Sequence, residues 1–366
     1  MKICFLAPSN SGHTIKWCNY FSEKGYEVHV VSFLPNEIEN ATVHFVDSGV
    51  SATSGDGSKL KYIFQSKKVK RIIKEICPDV ISVHYASSYG AVAARAGVKD
   101  YYLSVWGSDI FEFPKKSFLH KILLKYSLKK AKCIFSTSHA MAKETKKYIK
   151  PNKDVFITPF GVKTDLFTPQ KRNRTDTDFV VATVKSLAPV YGIDYLIKAV
   201  AIIKTQRKDI PLKVKIAGKG THEQEYKDLA KQLGVEKDID FLGFISQEEA
   251  ANVYANADIA VIPSISESFG VSAVEAQSSG IPVIISDEAG LKEATSVGLS
   301  SIVVEKRNEN QIASAVIDLY DNSTKRKEMG KRGREFVMSN YEYNSCFERI
   351  EEIFKENAND REIFIK

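Results

Sequence analysis

Glu267 and Glu275 stand on either side of seven residues in the segment Pro263-Ser-Ile-Ser-Glu-Ser-Phe-Gly-Val-Ser-Ala-Val-Glu-Ala276. Ala257–Ile262 is an apolar run that reads as a buried strand, and Gly270–Ser279 reads as a helix stopped by Gly280 and Pro282. A strand ends, a short loop carries Glu267, and a helix starts at Phe269-Gly270. The first turn of a helix offers N–H groups with no intrahelical partner and the positive end of the dipole, which together bind anions. Gly270 lets a ligand approach the backbone closely, and Glu275 lies about a turn and a half further in. Carboxylates accept hydrogen bonds from hydroxyls, while the N–H groups of Phe269, Gly270 and Val271 suit sugar or phosphate oxygens. Two carboxylates around an anion hole fit a phosphorylated sugar. Glu267 would hold sugar hydroxyls from the loop, and Glu275 would face the same ligand from farther into the helix. The alternative, carboxylates that merely complement a helix dipole, accounts for Glu267 better than for Glu275.

A second phosphate-binding feature is Ala217-Gly-Lys-Gly-Thr221, between an apolar strand and a helix. Gly218 and Gly220 would let the backbone approach a nucleotide and Lys219 would reach a phosphate, although tight strand-to-helix turns use glycine too. Gly12, in the loop after the first strand, offers a similar approach to donor phosphate or acceptor. His13 and His84 are candidates for acceptor contact, with a structural role as the alternative. The pairs Asp176/Asp178 and Asp238/Asp240 read as solvated carboxylates, and no His/Cys cluster has metal-ligand spacing. The expectation is a reaction without metal or other cofactor, in which helix dipole and lysine meet the leaving-group charge.

Glu-x7-Glu with Phe-Gly after the first Glu resembles the signature of family-4 retaining glycosyltransferases. The segments Met1–Ser9, His84–Gly90, Trp106-Gly-Ser-Asp109, Pro159-Phe-Gly-Val162, Ala217-Gly-Lys-Gly220 and Phe241-Leu-Gly-Phe244 follow in that family's order, so the resemblance runs along nearly the whole chain. It implies an α/β protein of GT-B architecture, two Rossmann-like domains facing across a cleft. Residues 1–168 would bind the acceptor, joined by a C-terminal helix at 343–366, and residues 169–342 would bind the nucleotide-sugar. The implied reaction is a metal-independent hexosyl transfer with retention, from a UDP-sugar on family frequency, to a hydroxyl of a lipid-linked, envelope or capsular saccharide. Phe244 and Ile245 would then contact the base, a core aromatic being the alternative, and Asp109 would line the cleft and bind a hydroxyl. The diphosphate position departs from the pattern Gly-Arg-Leu-x-x-Glu-Lys-Gly. Here the chain reads Lys185-Ser-Leu-Ala-Pro-Val-Tyr-Gly192, with Ser186 for the Arg and Tyr191 for the Lys. Lys185 is the cation left to act as diphosphate ligand, one residue early. Two other readings fit the same residues: a non-catalytic nucleotide-sugar-binding or scaffold subunit, and a GT-B sugar-nucleotide epimerase.

The elements that must position these groups follow from composition and pattern. The 366 residues, 43% hydrophobic and 27% charged, suit two globular domains. Strand-like runs alternate with helical patterns throughout, the mark of two α/β units. Ser48–Ser58 reads as a flexible loop and 171–178 as the interdomain linker. No run approaches the roughly 20 apolar residues of a membrane span, no signal peptide stands out, and five scattered cysteines fit a reduced cytoplasmic protein. Residues 1–165 carry 25 Lys and Arg against 14 Asp and Glu, whereas 166–366 carry 27 against 31. The basic half points to an anionic partner. Phe118–Lys132, with Leu119, Ile122, Leu123 and Tyr126 on one side and lysines elsewhere, reads either as a helix docking on acidic lipid at the inner face of the membrane or as an ordinary surface helix. Aromatic-basic interleaving of the kind that binds nucleic acid is missing.

Overall fold

The computed structural model describes residues 1–50, 60–174 and 177–363, with backbone alone at 60 and 357–363. Most of the expected Ser/Gly loop and Asp176 of the first Asp-x-Asp pair lie outside the described residues. The chain forms two compact units, Met1–Phe160 with Cys346–Lys366, and Gly161–Ser345.

The first unit is built on a seven-stranded sheet in the order β3-β2-β1-β4-β5-β6-β7, all of its pairings parallel. Its strands are β1 (Lys2–Leu6), β2 (Glu27–Ser32), β3 (Thr42–Phe45), β4 (Val80–His84), β5 (Tyr102–Val105), β6 (Cys133–Ser136) and β7 (Val155–Ile157). Strands covered on both faces read as unbroken apolar runs, and β4 is buried along its whole length. Edge strand β3 is half-exposed and carries no such run, which is why the sequence does not announce it. Helices α1 (Gly12–Glu23), α2 (Ser66–Ile76), α3 (Tyr89–Ala96), α4 (Ser108–Phe111), α5 (Phe118–Lys130) and α6 (His139–Thr145) join the strands.

The second unit repeats the plan with six strands in the order β10-β9-β8-β11-β12-β13, again all parallel. These are β8 (Phe179–Val184), β9 (Leu212–Ala217), β10 (Ile239–Gly243), β11 (Ile259–Ile262), β12 (Val283–Ser286) and β13 (Ser301–Val304). Helices α7 (Ile193–Gln206), α8 (Glu223–Gln232), α9 (Gln247–Ala255), α10 (Val271–Ser278), α11 (Ala289–Glu293), α12 (Glu309–Asp321) and α13 (Ser323–Asn340) lie among them. In both sheets the winding reverses beside the first strand, between β1 and β4 and between β8 and β11. Open α/β sheets bind ligands beyond the carboxyl ends of strands at such a reversal.

Residues 161–168, placed by the sequence reading in the first domain, pack with the second unit. The Val162 N–H donates to the Tyr341 carbonyl at 2.8 Å, the Ser278 hydroxyl to the Phe167 carbonyl at 2.7 Å, and Arg334 to the carbonyls of Thr164 and Phe167. The expected linker is likewise fastened to that unit, because Arg172 and Arg174 both pair with Asp258. The last helix, α14 (Tyr343–Ile363), sets Phe347 and Phe354 against Trp17. Its Glu351 accepts hydrogen bonds from the hydroxyls of Tyr20 at 2.9 Å and Tyr26 at 2.6 Å.

Candidate functional site

The carboxyl ends of β8 and β11 bring Lys185 and Glu267 together. Lys185 follows directly on β8, its N–H donating to the Ala217 carbonyl at 2.8 Å, and its ammonium forms an ion pair with Glu267. Both side chains are nearly buried, 10% and 11% exposed. The Ser264 hydroxyl adds a 3.3 Å bond to the same carboxylate oxygen. On its other side the ammonium stands 4.7 Å from the centre of the Tyr191 ring. The residue in place of the family's second cation thus holds the remaining one. A strand residue displaced by one position would point to the opposite face, but β8 stops at Val184, and the loop turns Lys185 toward the β11 loop.

Gly270 has φ +101°, a left-handed conformation, and caps α10. A Cβ there would come 2.6 Å from the Leu291 side chain, so the position needs glycine for both conformation and packing. The Phe269 side chain is buried with its edge on Tyr341, ring centres 5.1 Å apart, which leaves its backbone, with those of Gly270 and Val271, to open the helix. The Ser272 hydroxyl donates to the Val184 carbonyl at 2.7 Å and fastens this first turn to the end of β8; nothing in the spacing of the carboxylates announced it. Helix α10 is buried almost all round, Glu275 included. The Tyr254 hydroxyl is pushed up first by burial and then by the neighbouring Glu275 charge.

The glycines at 218 and 220 have a more local reason than nucleotide approach. With φ +137°, a Cβ on Gly218 would lie 1.8 Å from the Lys185 carbonyl oxygen, and one on Gly220 would lie 2.2 Å from that of Leu187. They allow the β9 loop to press against the β8 loop and so hold Lys185 in place. Lys219 is exposed and contributes its carbonyl to the Leu187 N–H at 3.0 Å. Phe244 is 76% exposed, which rules out the core-aromatic alternative, and Ile245 beside it is partly covered. Asp238 is paired with Lys204 at 3.0 Å, and among the described residues no cluster of His, Cys, Asp and Glu could hold a metal ion.

In the first unit the structure changes the roles expected of two residues, Asp109 and His84. Asp109 is 1% exposed, and its carboxylate accepts from the N–H groups of Ala86 (2.9 Å), Trp106 (3.1 Å) and Gly107 (2.9 Å). Burial pushes its pKa up, against those hydrogen bonds. It braces two loops from within and does not line a surface. His84 is fully buried at the end of β4, boxed by Phe5, Trp17 and Trp106 with ring centres 5.5, 5.0 and 4.7 Å away. Burial first, and the neighbouring His13 second, push its pKa down to about 3, so it is a neutral core imidazole. His13 stacks on Phe160 at 3.7 Å and is partly exposed. Gly12 is exposed and opens α1; a Cβ there would meet no atom within 4 Å.

Comparison with known proteins agrees with this geometry. Residues 166–336 match the model of the glycosyl transferases group 1, and residues 2–138 match that of the glycosyl transferase 4-like proteins. An uncharacterised glycosyltransferase of Methanocaldococcus jannaschii is 27% identical over 91% of both chains. A D-inositol 3-phosphate glycosyltransferase of Corynebacterium glutamicum is 35% identical over 50% of this chain, which spans only 46% of that relative. Among solved structures, sucrose-phosphate synthase from Thermosynechococcus elongatus superposes with a TM-score of 0.83 at 18% identity, covering 97% of this chain and 98% of the other. The Anabaena protein HepE in complex with UDP-glucose gives 0.79 at 18% identity, covering 97% and 100%. With two parallel doubly wound sheets, a glycine-capped helix after β11 and matches to both halves, the chain belongs to the family-4 glycosyltransferases of GT-B fold.

Proposed function

We propose that the second unit binds a uridine nucleotide-sugar and the chain transfers its hexosyl group, with retention and without a metal, to a saccharide hydroxyl held by the first. The observation that carries this reading is the nearly buried Lys185–Glu267 pair beside the start of α10. Lys185 and the N–H groups at Gly270 and Val271 would meet the diphosphate charge as it develops in the leaving group. Glu267 would hold the donor hydroxyls and Glu275 the ribose. As the bond from the anomeric carbon to the diphosphate oxygen breaks, the acceptor oxygen bonds to that carbon from the same side, and its proton passes to the departing oxygen. Exposed Phe244 and neighbouring Ile245 would receive the base. HepE, in its complexes with UDP and UDP-glucose, supports uridine as the base. The test is thermal shift with UDP, GDP, ADP and their sugars, with and without Mn²⁺, followed by turnover with an added acceptor; ligand that binds only the folded state raises the melting temperature. A shift with a uridine compound, insensitive to Mn²⁺ and lost in Glu275→Ala, is expected. A response to no nucleotide overturns the reading.

The basic face of the first unit belongs to the same proposal, as peripheral contact with anionic membrane lipid that presents a lipid-linked acceptor. Helix α5 buries Leu124, Ser127 and Leu128 yet leaves Phe118 and Leu119 about three-quarters exposed and Ile122 half-exposed. Lys125, Lys129, Lys132 and Lys150 line an adjoining groove of about 550 Å³. Apolar side chains beside lysines suit insertion at an acidic headgroup layer. Among the described residues no helix is long and apolar enough to cross a membrane. Co-sedimentation with phosphatidylglycerol vesicles but not with phosphatidylcholine vesicles, lost in Leu119→Glu/Ile122→Glu, is the expected result.

A further inference from the structure

A cavity of about 790 Å³ in the second unit is lined by helices α7 and α8, and none of the candidate site residues described above takes part in it. Helix α7 contributes Asp194, Tyr195 and Lys198, α8 contributes Glu225, Tyr226 and Asp228, and Arg307 reaches it from the loop after β13. Some of these charges are already matched. The Asp194 carboxylate accepts from the Lys198 ammonium at 2.9 Å, and that ammonium stands 4.5 Å from the centre of the Tyr195 ring. Asp228 accepts from the Gln224 amide at 2.9 Å. Glu225 has His222 at 3.8 Å, beyond hydrogen-bond reach, and its side chain is 71% exposed. Arg307 is exposed with φ +59°, an uncommon conformation for a residue other than glycine, and it enters no ion pair among the described residues. Glu225 and Arg307 thus present opposite, uncommitted charges to one cavity.

Tyr226 is 5% exposed, and its hydroxyl has no hydrogen-bond partner among the described residues. A buried hydroxyl left unpaired is costly and calls for a reason. Burial first, and then the charges of Asp194 and Glu225, push its pKa up to about 12, so it stays protonated and lies within the field of both carboxylates. Pro189 and Ile265 also line the cavity. Their loops carry Tyr191 and Glu267, and the Ile265 N–H donates to the Val190 carbonyl at 2.8 Å. The cavity therefore backs onto the loops that hold the Lys185–Glu267 pair without containing either residue. A purely cationic ligand would meet Arg307, and a purely anionic one would meet Glu225 and Asp228. A ligand with both charges satisfies Glu225 and Arg307 together, lays its body on the tyrosine rings and gives the Tyr226 hydroxyl a partner.

We infer that this cavity is a ligand site for a small zwitterion, a molecule with an ammonium group for Glu225 and a phosphate or carboxylate for Arg307, separate from the site at the Lys185–Glu267 pair. This binding chemistry is independent of glycosyl transfer and is read without turnover. The test is calorimetry on the full chain with two zwitterions, each beside relatives that keep one charge. Glucosamine 6-phosphate is compared with glucosamine and glucose 6-phosphate, and L-phenylalanine with phenethylamine and 3-phenylpropionate. At least one zwitterion should bind tenfold or more tightly than both of its relatives, and which one does so tells an amino sugar phosphate from an amino acid. Arg307→Gly suits the positive φ and should weaken that zwitterion at least tenfold while leaving its ammonium-only relative unchanged. Glu225→Gln, at an exposed position, should do the same for the ammonium end. Tyr226→Phe removes an unpaired hydroxyl, so the free protein should melt no lower than the parent while binding weakens about threefold to tenfold. Saturating UDP should not displace the zwitterion. Neither zwitterion exceeding both relatives, unchanged affinity in any of the three variants, or displacement by UDP would each overturn the inference. If UDP does not bind and the zwitterion does, with the losses expected of the variants, the uridine reading fails and this one stands.

Discussion

Replacing Tyr191 tests whether an aromatic ring has taken over the task of steadying the Lys185 ammonium. The Lys185 ammonium is 4.7 Å from the ring centre, on a side chain only 10% exposed. A cation–π contact is worth about 0.5–1 kcal/mol when exposed and about 2 kcal/mol when desolvated. At this burial the contact falls in the upper part of that range, about 1–2 kcal/mol. Each 1.4 kcal/mol is a factor of ten, so Tyr191→Leu should lower kcat/KM for the nucleotide-sugar by roughly 5- to 30-fold. Tyr191→Phe keeps the ring and should stay within about twofold of the parent. The assay is initial-rate UDP release over a donor titration, with a thermal melt of each variant to confirm folding. Equal losses in Tyr191→Phe and Tyr191→Leu would show that the hydroxyl matters and the ring does not. No loss in Tyr191→Leu would show that Lys185 needs no such support, and either outcome refutes the reasoning. Tyr191→Lys carries the contrast further, since a second cation should tighten UDP itself, read directly by calorimetry.

Three more outcomes are expected. Lys185→Met should cut kcat by about 10²–10³ and, by leaving Glu267 nearly buried without its cation, cost about 3 kcal/mol of stability in urea unfolding; adding Glu267→Gln should restore the stability and leave the activity lost. Burial acts to raise the Glu351 pKa, but hydrogen bonds from Lys355, Tyr26 and Tyr20 together outweigh it and hold it down at about 2. A depressed carboxylate pKa contributes stability above the unfolded value, about 4.3, and loses it as pH falls toward 2; Glu351→Gln should therefore cost about 1–3 kcal/mol at pH 7 and progressively less below pH 4 in urea titrations. His84, held down at about 3 by burial and then His13, takes up its proton on unfolding below the ordinary value of about 6.5, so stability should fall with acidification by at most about 1.4 kcal/mol per pH unit between those values. His84→Phe should flatten that slope, and an unchanged slope would place the acid sensitivity elsewhere.

The sequence discloses what depends on local pattern. Apart from the half-exposed edge strand β3, the strands of the first sheet and those of the second show as strand-like runs bounded by turns, and the carboxylate spacing around Phe269-Gly270 places a loop, a cap and a helix where they occur. Lys185 could be named as the remaining cation but not aimed, because the direction of its side chain depends on β8 ending one residue earlier and on a β9 loop pressed close by Gly218. Tyr191 could be read only as the loss of a lysine; its part in holding Lys185 arises from a loop closing over the ammonium, a contact between residues six positions apart that no period encodes.

His84 and Asp109 show the opposite limit. A histidine and an aspartate at strand ends carry the same local signal whether they face a ligand or the interior, and only the packing of α1 and α4 over the sheet decides. Here Trp17 of α1 closes over His84, and the backbone at the start of α4 turns its N–H groups onto Asp109. Both residues then act through what they shape. The acidic one ties the loop after β4 to the loop after β5, so its effect on any ligand would be felt through the backbone it holds and not through its own carboxylate.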